Sequence, residues 1–290
     1  ETAMHTSKER GPNDFSFYTE DMNLRARRQQ NLESAIRLAL ELDEFVLHYQ
    51  PKLDLNSGRI VGAEALIRWF QPRSGWVSPS DFIPVAEDSG LIVPLTQWVL
   101  HQACEQAQAG RGMGLPPLYM AVNVSAIDFR QHDFVDNLAA ILKQTGLPPA
   151  WLELEITENV LMQNVDDTVQ ILQTIKAMGV RLALDDFGTG YSSLSYLRRF
   201  PIDVLKIDQS FVRGLNENNQ DAQLISAIIG MGKSLELNII AEGVETVEQL
   251  NFLKSQQCEE GQGFLFSKAV PPKDFARLLQ VGSATLMPAQ

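Results

Sequence analysis

The sequence predicts an α/β protein built as a mostly parallel (β/α) barrel, and three observations carry that prediction. From Tyr119 onward, short apolar runs of strand character alternate with helical stretches, as in a sheet made by right-handed crossovers. The chain has 290 residues and 44% hydrophobic composition, enough for one large core of the kind such barrels enclose. Polar residues interrupt successive strands near their carboxyl ends, where a parallel barrel gathers its loops into one mouth.

Taken in order, residues 1–20 are polar and irregular, with a turn through Gly11, Pro12 and Asn13 and a short strand-like piece, Phe15-Ser16-Phe17-Tyr18. A helix is predicted to start at Thr19, an N-cap type followed by Glu20 and Asp21. It places Leu32, Ala35, Ile36, Ala39 and Leu40 on one face and Arg25, Arg27 and Arg28 in solvent, and it serves as a connector to residue 43. Strand-like runs over 44–55 and 60–69 flank Asn56-Ser57-Gly58, which reads as a hairpin. Helices are expected over 81–90 and 91–109. Strands over 119–124, 151–157, 181–185, 203–207 and 237–242 then alternate with helices over 133–146, 165–178, 192–200, 221–235 and 247–256. A last strand is expected at 263–266 and a last helix at 272–279.

The chemistry concentrates where the third of those strands ends. Asp185 and Asp186 close an apolar run and precede the glycine-rich Phe187-Gly188-Thr189-Gly190. Adjacent acids on an extended backbone point to opposite sides, so a strand end or turn is needed for both to reach one ligand. Two readings of this pair stay open, an Asx turn capping the strand and a divalent metal between the carboxylates. Asn123, Glu155, Lys206 and Glu242 stand at or near the ends of the other strands, and Glu64 and Arg68 interrupt the second strand of the hairpin. A structural Glu64–Arg68 pair is one reading of the last two. Oxygen ligands without His or Cys select hard cations such as Mg²⁺ or Mn²⁺. So many carboxylates suit two ions arranged for in-line phosphoryl displacement, with Asp185 as the bridge. Arg68 and Lys206 would then bind phosphate oxygens, or Lys206 would orient the attacking water. Schiff-base chemistry at Lys206 is a rival, disfavoured because surrounding carboxylates raise a lysine's pKa. Sugar hydrolysis by two carboxylates is another, but it needs neither the lysine nor so many acids.

Other features exclude or diminish alternatives. A net charge of −12 argues against a nucleic-acid polymer as partner. Cys104 and Cys258 are too few for a disulfide framework and suit a reducing, cytoplasmic setting, whether for the chain itself or as the cytoplasmic portion of a larger protein. No apolar run reaches membrane-span length, and the start lacks a signal-peptide pattern. His5, His48, His101 and His132 lack ligand spacing. Gly110-Arg111-Gly112-Met113-Gly114 follows a helix rather than a strand, so it reads as a helix-terminating loop and not a phosphate loop. His101 and Cys104 share a helical face that reads as packing.

Glu64-Ala65-Leu66-Ile67-Arg68-Trp69, Tyr49-Gln50-Pro51, Val122-Asn123-Val124-Ser125, Glu155-Ile156-Thr157-Glu158, the run from Asp185 to Leu194, Leu205-Lys206-Ile207-Asp208, Ala241-Glu242-Gly243-Val244-Glu245-Thr246 and Gly261-Gln262-Gly263 together closely resemble the EAL-domain phosphodiesterases that hydrolyse cyclic di-GMP. The resemblance spans roughly 44–281. It implies a modified (β/α)₈ TIM-like barrel whose first strand runs antiparallel, with two Mg²⁺ or Mn²⁺ ions held by Glu64, Asn123, Glu155, Asp185, Asp186 and Glu242. It implies catalytic roles for Glu64, Asp185, Asp186 and Lys206, the last near the attacking water. Substrate contacts fall to Gln50, Arg68 and Gln262, and Glu158 and Glu245 hold the loop after Asp186. The implied product is linear pGpG. A homodimer packed near that loop is implied as well. Every position of the set is filled, which weighs against the alternative of a module that binds cyclic di-GMP with little or no turnover.

Residues 3–13, followed by Phe15 and Phe17, resemble the last helix and strand of a GGDEF domain, with His5 where that family has tyrosine and Pro12 where it has arginine. The expected organisation is therefore a GGDEF remnant over 1–18, a linker helix over 19–43, the EAL domain over 44–282 and a flexible tail over 283–290. An upstream GGDEF domain is expected in a longer parent protein, and no membrane contact is expected from this segment.

Overall fold

Five residues separate the first two strands, too few for a crossover, and that single fact sets the direction of the whole barrel. The computed structural model describes residues 20–72, 74–162, 165–189, 197–215 and 219–281. The expected GGDEF remnant, the Thr19 cap, the tail over 283–290 and most of the helix expected over 192–200 lie outside them. Two compact units are distinguished, one of residues up to Val46 together with Arg68–Leu95, the other of Leu47–Ile67 with Thr96 onward.

In the first unit, helix α1 (Glu20–Glu41) buries Ile36 and Ala39 and leaves Arg27 and Arg28 exposed, as the apolar spacing predicts. Strands β1 (Phe45–Asp54) and β2 (Ile60–Gln71) contribute residues to both units, and β3 (Gly75–Val77) pairs antiparallel with the end of β2. Phe45, Trp69 and Phe82 of α2 (Pro79–Asp88) form an aromatic cluster, with ring centroids 5.3 to 5.7 Å apart. The Trp69 indole donates to Glu44 Oε2 at 3.0 Å, so the buried ring leaves no polar atom unpaired.

The second unit is the barrel. Helix α3 (Ile92–Gly112) ends at Gly114, whose φ of 74° only glycine adopts without strain, so the glycine-rich fragment is a helix terminus as expected. Strand β4 (Tyr119–Val124) is followed by α4 (Ala126–Phe129), closed by a Ser125–Asp128 capping box, and by α5 (Phe134–Thr145), ended by left-handed Gly146. Then come β5 (Leu152–Thr157), α6 (Glu158–Met162), α7 (Val165–Ala177), β6 (Arg181–Phe187), β7 (Val204–Ile207), α8 (Gln209–Gly214), α9 (Asn219–Ser234), β8 (Asn238–Ala241), α10 (Val247–Ser255), β9 (Glu260–Gly261) and α11 (Pro272–Val281). The sheet order is β1-β9-β8-β7-β6-β5-β4-β2-β3, and a β1–β2 pairing closes the ring, leaving β3 as an appendage. From β2 through β9 the neighbours are parallel. β1, reversed by its tight turn with Gly58 at φ 72°, meets β9 antiparallel through Leu53 and Gly261. The fold is thus a modified (β/α)₈ barrel with an antiparallel first strand. Apolar side chains of every barrel strand except the two-residue β9 enter its core, as leucine, isoleucine or valine on most strands and as Ala63 and Ala65 on β2.

One strand is displaced from its expected place. Residues 263–266 form a turn, and the strand is β9, a few residues earlier. Gln262 and Leu265 spend their backbone groups on Val244 (Val244 N–H to Gln262 O, 3.0 Å; Leu265 N–H to Val244 O, 2.9 Å), so no ladder can form there. The apolar signal came from Phe266, which is buried in the turn. Among the described residues, no helix is long and apolar enough to cross a membrane.

Candidate active site

Seven barrel strands carry acid, amide or lysine side chains near or just beyond the end where the parallel strands finish. Glu64 on β2 is buried and held from both sides: Asn123 Nδ2 donates to its Oε1 at 2.7 Å and Gln262 Nε2 to its Oε2 at 2.5 Å. Gln262 Nε2 also donates to Gln50 Oε1 at 3.1 Å, and Gln50 Nε2 donates to the Ser267 carbonyl at 3.2 Å. Gln50 and Gln262 are therefore fixed by the same web. Gln262 Oε1 has no hydrogen-bond partner among the described residues.

Lys206, fully buried on β7, is the hub of the acids. Its Nζ lies 2.8 Å from Glu155 Oε2, 3.1 Å from Asp185 Oδ1 and 2.7 Å from Glu242 Oε1. Burial alone would lower this lysine, but Asp185, Glu155, Glu242 and Glu64 raise it well above its ordinary value. Lys206 is thus locked as an ammonium. Schiff-base chemistry, which needs a free amine, is disfavoured by the same carboxylates. Glu155 shows the converse: burial would raise it, yet the Lys206 and Lys52 ammoniums bring it down to about 2.

The other acids carry negative charge that the lysines do not cancel. Glu242, one residue beyond β8, is pushed up to about 8, first by burial and then, against Lys206, by Asp185, Glu64 and Glu155. Asp186 is pushed up to about 6 by burial, by Asp185 and by Asp208, to which it is hydrogen-bonded. Glu64 is raised by burial and by Glu155. Oxygen atoms of Asp185, Asp186 and Glu242 lie within 4.8 Å of one another. Hard oxygen donors, close together and short of positive charge, fit a divalent cation.

Glu64, Asp185, Glu242, Gln50 and Gln262 line one cavity of about 230 Å³, rimmed by Gln209, Arg213, Glu245 and Phe264. A larger concavity of about 560 Å³, lined by Phe129, Arg130, His132 and Thr168 among others, contains none of these acids. The chemistry therefore lies in the smaller one. Of the remaining expected residues, Arg68 sits half-buried further along β2, in the other compact unit. Glu158 opens α6 and is buried, with Oε2 lacking a partner among the described residues. Glu245 is exposed, 3.5 Å from Arg213. The loop they were expected to hold lies mostly outside the described residues.

Three charged neighbours of the site were not singled out from the sequence: Lys52 and Glu153, both fully buried and paired at 2.8 Å, and Asp208 beside Asp186. A signal for Lys52 existed. Gln50 and Lys52 alternate on β1, as Glu153 and Glu155 do on β5, and a period of two puts each pair on one face.

An EAL domain family model matches residues 33–269. The chain is 43% identical over 269 residues to the cyclic di-GMP phosphodiesterase NbdA of Pseudomonas aeruginosa, covering 93% of this chain and 34% of NbdA. It is 42% identical over 271 residues to the bifunctional diguanylate cyclase/cyclic di-GMP phosphodiesterase MucR of the same organism, covering 93% of this chain and 40% of MucR. The chain thus spans between a third and two fifths of the length of these curated relatives. A solved structure of the PaMucR phosphodiesterase in complex with c-di-GMP superposes with a TM-score of 0.82 at 43% identity, covering 84% of this chain and 99% of that one.

Proposed function

The chain belongs to the EAL domain family, and from that premise we propose that it hydrolyses cyclic di-GMP to linear pGpG in a reaction that depends on Mg²⁺ or Mn²⁺. The observation that carries the reading is the convergence of Glu155, Asp185 and Glu242 on Lys206, with Glu64 lining the same cavity as Asp185 and Glu242. The overlap with nearly all of a phosphodiesterase domain that was solved with c-di-GMP supports the substrate.

Glu64, Asn123, Glu155, Asp185, Asp186 and Glu242 would hold two divalent ions. When bound, such ions supply the charge that offsets a phosphodiester and lowers the pKa of water. The chain's own residues do the rest. Lys206 keeps Glu155, Asp185 and Glu242 aimed at one point and, held as an ammonium by them, sets the charge near the attacking water rather than deprotonating it. Water adds to phosphorus as the P–O bond to the leaving ribose oxygen breaks in line, and the proton the water gives up ends on that oxygen. Gln50 and Gln262 bind substrate. The unpartnered Gln262 Oε1 offers an acceptor for a base or hydroxyl.

Glu158 and Glu245 hold the loop after Asp186, and a homodimer packed near that loop couples assembly to the two aspartates. The EAL domain over 44–282 is reached through the linker helix from an upstream GGDEF domain, as the bifunctional name of MucR suggests, in a cytoplasmic setting. The test is pGpG production by the isolated chain, with and without chelator. Turnover that survives excess EDTA would overturn the metal dependence. Tight cyclic di-GMP binding without product in Mn²⁺ would replace the enzyme by a binding module.

A further inference from the structure

Lys52 takes no part in the reaction proposed for the site, yet its side chain is fully buried in the barrel interior. Its Nζ lies 2.5 Å from Glu155 Oε1 and 2.8 Å from Glu153 Oε1. Glu155 Oε2 is the atom that meets Lys206. One carboxylate is therefore gripped on both oxygens, by ammoniums from β1 and β7. Burying an ammonium costs several kcal/mol unless close partners offset it, so these short contacts are the reason Lys52 can stay inside.

The grip extends downward. Glu153 Oε2 pairs with Arg181 Nε at 3.2 Å, and both the Arg181 guanidinium and the Lys52 ammonium lie over the Tyr119 ring, at 4.4 and 5.3 Å. Tyr119 donates to Glu260, which also accepts from Asn238 Nδ2 at 2.6 Å. Tyr119, Arg181, Asn238 and Glu260 open β4, β6, β8 and β9, so this network fills the barrel at the end opposite the acids. Lys52 joins it to Glu155.

We propose that Lys52 is a positioning residue for the divalent-cation site: it pins Glu155 Oε1 so that only Oε2 is turned toward Lys206, Asp185 and Glu242. The inference rests on the metal-dependent reading above. A purely structural Lys52 would do no more than neutralise Glu153. The two roles separate in a double variant, Lys52→Met with Glu153→Gln, which removes the buried cation together with one buried charge and leaves Glu155 without its clamp.

The experiment titrates the full chain with Mn²⁺ alone by calorimetry and measures kcat and KM on cyclic di-GMP in parallel. The double variant is expected to bind Mn²⁺ about 10- to 100-fold more weakly, the usual loss when a ligand's supporting contact is removed. Its kcat should fall while KM changes little. Glu153→Gln alone keeps the Lys52–Glu155 contact and is expected to bind Mn²⁺ as the wild type does. Wild-type Mn²⁺ affinity in the double variant would overturn the proposal. Should that variant not fold, Lys52→Gln, with an amide donor and no charge, is held to the same outcomes. A wild-type chain that binds Mn²⁺ without hydrolysing cyclic di-GMP sinks the phosphodiesterase reading and leaves this test intact, whereas one that binds no Mn²⁺ overturns both.

Discussion

The backbone N–H of Asp186 donates to Oδ1 of Asp185 at 2.8 Å, and Asp186 itself takes a left-handed φ of 53°. That turn resolves the problem the sequence posed. On an extended backbone the two acids would diverge, whereas here oxygen atoms of both lie within 4.8 Å of one another and of Glu242. Asparagine tolerates this backbone region at least as well as aspartate, and a β-branched residue does not.

Asp186→Asn should therefore keep the fold and lose the site. Its melting temperature is expected to match or exceed the wild type's, because a crowded charge is gone, while pGpG formation falls at least tenfold. Asp186→Val should lose activity and also about 1–2 kcal/mol of stability from backbone strain. Thermal melts beside turnover assays check both. An equal melting temperature for the two variants would show that the left-handed turn stores no cost.

Glu64→Ala and Asp185→Ala should each abolish pGpG production, the first by removing the acid that Asn123 and Gln262 hold, the second by removing the acid between Lys206 and Asp186. Glu64→Ala also leaves both amides facing a void, so about 1–3 kcal/mol of stability goes with it. Near wild-type rates in either variant would require a different site.

How legible the site was in the sequence follows from periodicity. Asn123, Glu155, Asp185, Lys206 and Glu242 could be read because a polar residue late in an apolar strand violates the pattern, and parallel strands bring their ends together. Lys52 was not read because the strand carrying it is the antiparallel one. The rule of looking at the carboxyl end does not apply there, and only the alternation with Gln50 marks the interior face. Glu153 sits early on β5 and so failed the same rule. The turn at 263–266 defeated the strand expectation because apolarity reports burial, which Phe266 satisfies, and not hydrogen-bond pairing, which Val244 takes instead. The left-handed turn at Asp186 is a backbone choice that the following glycines hint at without locating.

The acids make stability depend on pH in a definite direction. Glu242 moves from 4.5 to about 8 and Asp186 from 3.8 to about 6, so between those values the folded chain holds more protons than the unfolded one. Their contribution is present below the unfolded values and lost as pH rises through the folded ones. Glu155, lowered to about 2, acts only in the acidic range below 4.5 and leaves this window alone. The metal-free chain should thus melt at a higher temperature at pH 5 than at pH 8.5. Added Mn²⁺ should raise the melting temperature more at pH 8.5, where the acids are ionised, than at pH 5. A melting temperature that climbs steadily from pH 5 to 8.5 in EDTA would contradict the charge surplus.

Gly263 couples the cavity-lining amide of Gln262 to the backbone. A Cβ at this position would stand 2.1 Å from the Val244 carbonyl oxygen and 2.3 Å from its nitrogen, and backbone cannot swing aside as a side-chain tip can. Gly263→Ala must therefore push the segment carrying Gln262 away from Val244, stretching the 3.0 Å bond from Val244 N–H to the Gln262 carbonyl. The overpacking is expected to cost about 1–3 kcal/mol, a fall of a few degrees in melting temperature for a chain of this size. The functional effect should exceed what lost stability explains, because Gln262 both donates to Glu64 and Gln50 and faces the cavity. At a temperature where the variant is fully folded by circular dichroism, its KM for cyclic di-GMP should rise severalfold with a smaller change in kcat. If KM stays at the wild-type value, Gln262 contributes to the packing around Glu64 and not to holding the nucleotide.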